Sequence, residues 1–513
     1  MRLKKYFFSE FIFCVVVTFH AFGQHARPNV LVIYTDDHRY SGIHALGSQS
    51  VSTPSMDALA NDGISFTRTY LMGSFSGATC VPSRAMLLTG RNLFQLEGAG
   101  NKIPVEHTTM GEVFQQAGYH THIVGKWHQD HQSLARSFGS GAKLMGLGTY
   151  LVDHFRMPLW DWNDEGTYSR ENTYLEFYDE TGQVSRRTLR EDDQRGPIGT
   201  EQDGPHTSEI FADAAISFIS KYDNPTPFFM YLAFHAPHDP RQAPQKYQDM
   251  YSAENIELSP SYLPQHPFDN GDMVLRDEEL APWPRTPEIA RQQLADYYAI
   301  ITHLDTQIGR VIATLKESGM YENTIIVLAG DSGLAVGNHG LMGKQNIYDE
   351  DGIHVPFIIA GGAIEGPGRK INALSYIHDI FPTTCDLTGV PIPSTVSGKS
   401  LLPVINSKKE QVRDHTYHAY QQFQRAYRKG DYKLIEYVRA KDSSRELGEI
   451  TEGSKVTQLF NIAEDPWETQ DLSFFPEHHQ RVKSLSAEMK EKAIELGDSK
   501  DNTGMEYDFW DFF

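Results

Sequence analysis

Four runs of β-branched and aromatic residues, none showing the regular polar alternation of a half-exposed strand, constrain this chain more than any other feature. Asn29-Val30-Leu31-Val32-Ile33-Tyr34 leads into Thr35-Asp36-Asp37, and Tyr119-His120-Thr121-His122-Ile123-Val124 leads into Gly125-Lys126-Trp127-His128. Pro227-Phe228-Phe229-Met230-Tyr231-Leu232-Ala233 leads into Phe234-His235-Ala236-Pro237-His238, and Thr324-Ile325-Ile326-Val327-Leu328-Ala329-Gly330 leads into Asp331. Strands buried on both faces have no solvent side to mark, so such runs predict a mainly parallel sheet covered by helices. Ligands bind such open α/β sheets beyond the carboxyl ends of the strands. Any strand must stop in something polar, yet endings in Asp-Asp, Lys-x-His, His-x-x-His and Asp together mark one end of the sheet as a candidate site.

Helical spacing fills the gaps, most clearly between Pro287 and Gly319, where Leu294, Tyr297, Ile301, Leu304, Ile308, Val311, Ile312 and Leu315 share a face and Gly319 ends the pattern. The fold class expected for residues 24–395 is α/β, a large doubly wound, mixed but mainly parallel sheet flanked by helices. Residues 239–283, rich in Pro, Gln and Asp, read as a long surface loop. Beyond Pro391, Pro393 and Gly398 the pattern changes. Two strands turn at Lys429-Gly430-Asp431, a third covers residues 457–461, and an amphipathic helix runs from about 477 to 496. Residues 396–513 are therefore expected to form a small C-terminal α+β subdomain with an antiparallel sheet, its aromatic, acidic end packed on the body.

Arg2, Lys4 and Lys5 precede an apolar run at 11–19 and small residues at 21 and 23. The run is about half of the roughly 20 residues that span a bilayer, so residues 1–23 read as a signal peptide and the mature chain as exported, periplasmic or secreted, without a membrane span. Phe13 before Cys14 is a poor lipoprotein box. Cleavage leaves Cys80 and Cys385, too few for disulfide stapling, and Cys385 reads as a small core residue of a helix. With 46 Lys+Arg against 67 Asp+Glu, a net charge of −21 excludes broad phosphate-backbone binding, so nucleic acid is not an expected partner. Anion binding here needs a local positive pocket.

Three carboxylates at two strand ends, Asp36, Asp37 and Asp331, repel unless a cation lies between them, and all-oxygen ligation favours Ca²⁺ or Mg²⁺. Asp pairs also cap turns, so context decides. It comes from Cys80-Val81-Pro82-Ser83-Arg84-Ala85-Met86-Leu87-Leu88-Thr89-Gly90-Arg91. Pro82 suits a first helical turn, Gly90 its end, and Arg84 lies one turn after Cys80 on the same face. Taken alone, Cys80 at a helix N-terminus reads as a low-pKa thiolate, either nucleophile or metal ligand.

The stretch resembles the type I sulfatases of the alkaline phosphatase superfamily. Cys80-Val81-Pro82-Ser83-Arg84 is similar to their C-x-P-S-R signature, whose Cys is oxidised to formylglycine, and Leu88-Thr89-Gly90-Arg91 also matches. So do Thr53-Pro54-Ser55-Met56-Asp57, Gly125-Lys126-Trp127-His128, Ala236-Pro237-His238-Asp239-Pro240, His339-Gly340 through Lys344, Gly430-Asp431-Tyr432-Lys433 and Asp465-Pro466-Trp467-Glu468, from about Pro28 to Leu496. The resemblance implies one Ca²⁺ on Asp36, Asp37, Asp331 and the modified Cys80, and a formylglycine-generating enzyme as partner. The hydrated aldehyde would attack sulfur with one hydroxyl and expel sulfate with the other. It further implies His128 as base, Lys126 and Arg84 on the developing negative oxygens, His238 as acid to the leaving oxygen, and Lys344 on the sulfate.

His120, His122 and His235 match no catalytic position and read as ordinary core or surface groups. The chain departs from the family at Asp331-Ser332-Gly333, where Asn or His usually follows the third Asp, leaving Ser332, Asn338, His339 or water as the further metal ligand. A sulfated saccharide is the expected substrate, with the 128–131 turn, the aromatic loop at 150–163, His418, Gln421 and Arg425 as candidate sugar contacts. Two other readings compete: a phosphonate or phosphodiester hydrolase of the same superfamily, and a non-catalytic glycan-binding protein with unmodified Cys80.

Overall fold

The computed structural model describes residues 27–48, 50–146, 153–190, 193, 204–439 and 454–513. The signal-peptide reading of residues 1–23 and positions 150–152 of the aromatic loop lie outside them.

The four apolar runs form adjacent strands: β1 (Asn29–Thr35), β2 (His120–Gly125), β3 (Phe228–Ala233) and β4 (Thr324–Gly330). They lie in the order β4-β1-β3-β2 at the centre of an 11-stranded sheet, all parallel. Beyond β4 the sheet continues through antiparallel Phe357–Ala360, and beyond β2 through parallel Ser140–Met145 and then antiparallel strands out to Val184–Thr188. The sheet is mixed, as expected, but parallel pairing dominates only its centre, because most of the flanking strands run antiparallel.

Alternate residues of each strand enter different core layers, which is why no polar alternation was needed. Val30, Val32, Phe229, Tyr231 and Val327 pack with Met86, Leu87, Phe114 and Phe381. Leu31, Ile33, Met230, Leu232 and Ile326 pack instead with Leu294, Ile301, Leu304 and Ile308. Those last four belong to the helix Pro287–Glu317, whose Thr286 side chain accepts from Ile289 N and which Gly319 follows at φ 71°. Cys385 lies fully buried in the helix Ile380–Thr388, as expected of a small core residue.

A separate five-stranded sheet contains the antiparallel strands His415–Tyr420, Gln424–Lys429, Tyr432–Arg439 and Ser454–Asn461, with the helix His479–Leu496 following. Its fifth strand is Gly73–Ser74, parallel to His415–Tyr420 and just ahead of the Cys80 helix, so this sheet crosses the expected boundary at 395/396. Gly73 sits at φ 123° with room for no side chain, since a Cβ would lie 1.8 Å from Ala419 O. The aromatic C-terminus packs as expected: Phe509 is buried beneath the Arg425 guanidinium.

Residues 239–283 are not a plain surface loop. Asp239, His266, Asp272, Asp277 and Glu278 are buried. The carboxylate of Glu278 accepts from Met342 N and Gly343 N and pairs with Arg285, which makes the segment part of the site's wall. A polar composition signalled exposure here, but paired charges are tolerated inside.

Candidate active site

In-register parallel pairing lines up the polar strand ends. Thr35 pairs with Gly330, Tyr34 with Ala233 and Ala233 with Gly125, so Asp36, Asp331, His235 and Lys126 all emerge at one edge. Asp36 N donates to Ala236 O at 3.2 Å, Asp331 N to Thr35 O at 3.0 Å, and Lys126 N to Ala233 O at 2.9 Å, which locks the loops together. Asp37 and His128 both adopt positive φ, 59° and 79°, as the chain turns sharply off its strand.

The signature helix α1 (Cys80–Thr89) begins at Cys80 and ends at Gly90, left-handed at φ 63°, as its sequence predicts. Ser83 Oγ donates to Asp331 O at 2.7 Å and meets Tyr34 OH at 2.9 Å, fixing α1 against both acidic strand ends. Arg84 is fully buried. Its Nη2 lies 3.3 Å from both Asp36 Oδ2 and Asp331 Oδ2, while Nη1 donates to Lys126 O at 3.1 Å and Tyr231 OH at 3.2 Å. These contacts hold Arg84 against both acids, and its buried Nε has no hydrogen-bond partner among the described residues.

Carboxylate oxygens of Asp36, Asp37 and Asp331 converge within 4.8 Å of one another, all buried. Burial and the Asp36 charge push the Asp331 carboxyl well up, whereas Asp36, although buried, is held well below the usual range by Lys126 and Arg84. Lys126 Nζ pairs with Asp36 and lies 3.8 Å from Cys80 Sγ. Lys344 Nζ donates to Asp37 Oδ1 and Oδ2 at 2.5 and 2.7 Å, and despite burial the acids hold its pKa well up. His238 Nδ1 donates to Asp239 O at 2.8 Å, leaving Nε2 3.7 Å from Asp37 Oδ2. His128 stands half-buried beside Lys126, held neutral by burial and that neighbouring charge.

The low-pKa thiolate expected at Cys80 is overturned. Burial pushes the thiol up to about 11, and the lysine charges offset this only in part. A neutral thiol is a poor nucleophile at ordinary pH.

Among the proposed further metal ligands, only Ser332 stands at the acids, its Oγ 3.1 Å from Asp37 Oδ1 and 3.4 Å from Asp331 Oδ1. Asn338 Nδ2 and His339 Nδ1 are both committed to Asp351, at 2.8 and 2.5 Å, and His339 stacks on Tyr348 at 3.8 Å. Of the candidate sugar contacts, Arg425 is held by Asp498 at 2.5 and 2.8 Å, and His418 is buried with Nδ1 on Leu71 O at 2.8 Å. Gln421 Nε2 donates to Asp272 at 3.2 Å.

Two further groups stand at the site without having been expected there. His235 places Nδ1 3.4 Å from Asp36 Oδ2 and stacks on His238 at 4.6 Å, three residues away around a turn. Arg276 clamps Asp239 with two contacts of 2.7 Å behind His238, and no local pattern announces that pairing. His120 and His122 sit toward the other end of β2, as ordinary core or surface groups would.

The sulfatase family profile matches residues 28–390, about seven-tenths of the chain. The chain belongs to the sulfatase family. An overlapping profile, that of the N-sulphoglucosamine sulphohydrolase C-terminal region, matches residues 337–495. An ulvan-active sulfatase of Formosa agariphila is 28% identical over 92% of this chain and 82% of its own length. An N-acetylglucosamine-6-O-sulfatase of Bacteroides thetaiotaomicron is 26% identical, covering 94% and 87%. A solved structure of a protein in complex with its substrate D-glucosamine-2-N,6-O-disulfate shares the fold at a TM-score of 0.69 and 23% identity, covering 93% of this chain and 99% of that one. This sulfatase is a sulfuric ester hydrolase of the type I class. No helix among the described residues is long and apolar enough to cross a membrane.

Proposed function

We propose that this sulfatase is an exported enzyme that removes sulfate from a sulfated saccharide, using formylglycine at position 80 and one Ca²⁺ held by Asp36, Asp37, Asp331 and the modified residue. The observation that carries the reading is the convergence of three carboxylates with Lys126 and Lys344 around the side chain at 80. Saccharide specificity is supported by relatives named for ulvan and for N-acetylglucosamine 6-O-sulfate.

The residues present suit a hard divalent ion. Asp36 Oδ1 is buried with no hydrogen-bond partner among the described residues, and the donors are oxygens, as Ca²⁺ prefers. When bound, the ion supplies Lewis-acid polarisation of sulfate oxygens. Formylglycine hydrate supplies a hydroxyl nucleophile that the buried, neutral thiol cannot.

The remaining work falls to the side chains around position 80. Lys126 and Lys344 place two ammonium groups beside position 80, where negative charge gathers on sulfate oxygens in the transition state. Neutral His128 is in the right state to accept a proton from the hydroxyl at 80. His238 keeps its Nδ1 proton on Asp239 O, so a second proton at Nε2 is the one it can give to the leaving oxygen.

The test is mass spectrometry of the peptide spanning residue 80, with turnover of sulfate and phosphate esters before and after chelation. An aldehyde at 80, a preference for sulfate esters, and recovery by Ca²⁺ better than by Zn²⁺ are expected. Full activity from material carrying only the thiol refutes the mechanism.

A further inference from the structure

A polar cavity of about 400 Å³ lies at the far side of Trp160 from the catalytic residues, among its walls Trp162, Thr167, Asn172 and Thr188. A smaller pocket of about 160 Å³ lies on the near side, lined by Lys126, His128, Met145 and again Trp160. One indole thus forms part of both.

Strand register puts the cavity on the functional edge of the sheet. Gly125 pairs with Leu144, Leu144 with Trp160, Leu159 with Tyr174, and Tyr174 with Thr188. The line of residues at the end of β2, just before Lys126, therefore continues outward to this cavity. Its walls are built rigidly. Trp160 Nε1 donates to Thr173 Oγ1 at 2.7 Å, and its ring stacks on Tyr168 at 4.8 Å. Half-buried Trp162 lies on Gly141, where a Cβ would come within 2.9 Å of the indole.

We infer that this cavity binds a neutral sugar residue of the same sulfated oligosaccharide whose sulfate is cleaved at position 80, an inference that rests on the proposed saccharide specificity. A largely polar cavity with half-buried Trp162 at one wall and exposed Thr167, Asn172 and Thr188 around it matches the hydroxyl edges of a sugar ring, with the indole as its apolar contact. The sugar is neutral because both arginines at the cavity are already matched: Arg186 to Asp161 at 3.0 Å, and Arg187 to Asp193 by two contacts of 2.6 Å. A second sulfate would find no unbalanced cation there. The volume suits one or two hexose units.

The experiment uses intact protein on an array of neutral and monosulfated oligosaccharides, together with kcat/KM for N-acetylglucosamine 6-O-sulfate and for a tetrasaccharide carrying that unit at its non-reducing end. Wild type should bind neutral oligosaccharides and prefer the tetrasaccharide at least tenfold. Trp162→Ala and Thr188→Trp, the latter an exposed position whose larger side chain fills the cavity, should abolish both effects while leaving the monosaccharide rate unchanged. Sulfate release with no effect of either variant on binding or on the preference overturns the subsite and leaves the function standing. Oligosaccharide binding lost in both variants, with no sulfate release by wild type, overturns the function and leaves the subsite standing. Absence of binding in wild type overturns the subsite.

Discussion

Arg84→Ala should destabilise the protein much more without divalent cation than with it. Each of its two carboxylate contacts, at 3.3 Å, corresponds to about 5 kcal/mol of attraction at an effective dielectric constant of 20. Desolvation of the guanidinium cancels much of that, and removing one partner of a buried ion pair costs about 3–5 kcal/mol net. The hydrogen bonds to Lys126 O and Tyr231 OH add roughly 1 kcal/mol each. In the variant, Asp36 and Asp331 face each other within 4.8 Å, and because burial and Asp36 already push the Asp331 carboxyl well up, proton uptake there relieves part of a repulsion whose full size is about 3.5 kcal/mol at the same dielectric. A bound divalent ion removes that last contribution. Denaturant unfolding in chelator and in excess Ca²⁺ should therefore show a loss for Arg84→Ala that is larger in chelator, by at most about 3 kcal/mol. Equal losses in the two conditions would refute the reasoning, because they would mean the acids are not the ion's ligands and Arg84 serves packing alone.

His238→Ala should lower kcat/KM for sugar sulfates by about 10² to 10⁴ but for nitrophenyl sulfate far less, since an aryl oxide leaves with little help; equal losses would take His238 out of the acid role. Glu436, buried in the small sheet, has its carboxyl raised from 4.5 to about 7, chiefly by burial. An acid with a raised folded pKa contributes no penalty below its unfolded value and an increasing one as pH climbs toward the folded value, about 3 kcal/mol in full. Glu436→Gln should therefore stabilise the protein by about 2–3 kcal/mol at pH 8.5 and by less than about 1 kcal/mol at pH 5, read from denaturant midpoints; a gain independent of pH would contradict the burial argument.

The sequence by itself determined whatever depends on neighbours in the chain. Continuous apolar runs marked β1, β3 and β4, because burial on both faces favours apolar residues at every position, while β2, with His120, Thr121 and His122, was marked by its β-branched residues and its polar ending. Pro82 and Gly90 bounded the signature helix, and Lys429-Gly430-Asp431 made the hairpin turn with Gly430 at φ 59°. The acids were legible too, since a polar residue straight after a buried strand has to lie at the sheet's edge.

Tertiary structure decided which of these groups meet. Asp37 N donates to Asp331 Oδ1 across 294 positions, a contact that exists only because β1 and β4 are adjacent and in register. The same packing holds Arg84 against two acids, consumes Arg425 in protein contacts, carries His339 away to Asp351, and brings Arg276 from a supposed surface loop to the back of His238. Cys80 shows the limit most plainly. A helix N-terminus argues locally for a lowered pKa, but enclosure by distant segments removes the water that would stabilise the thiolate, and that desolvation outweighs the local field.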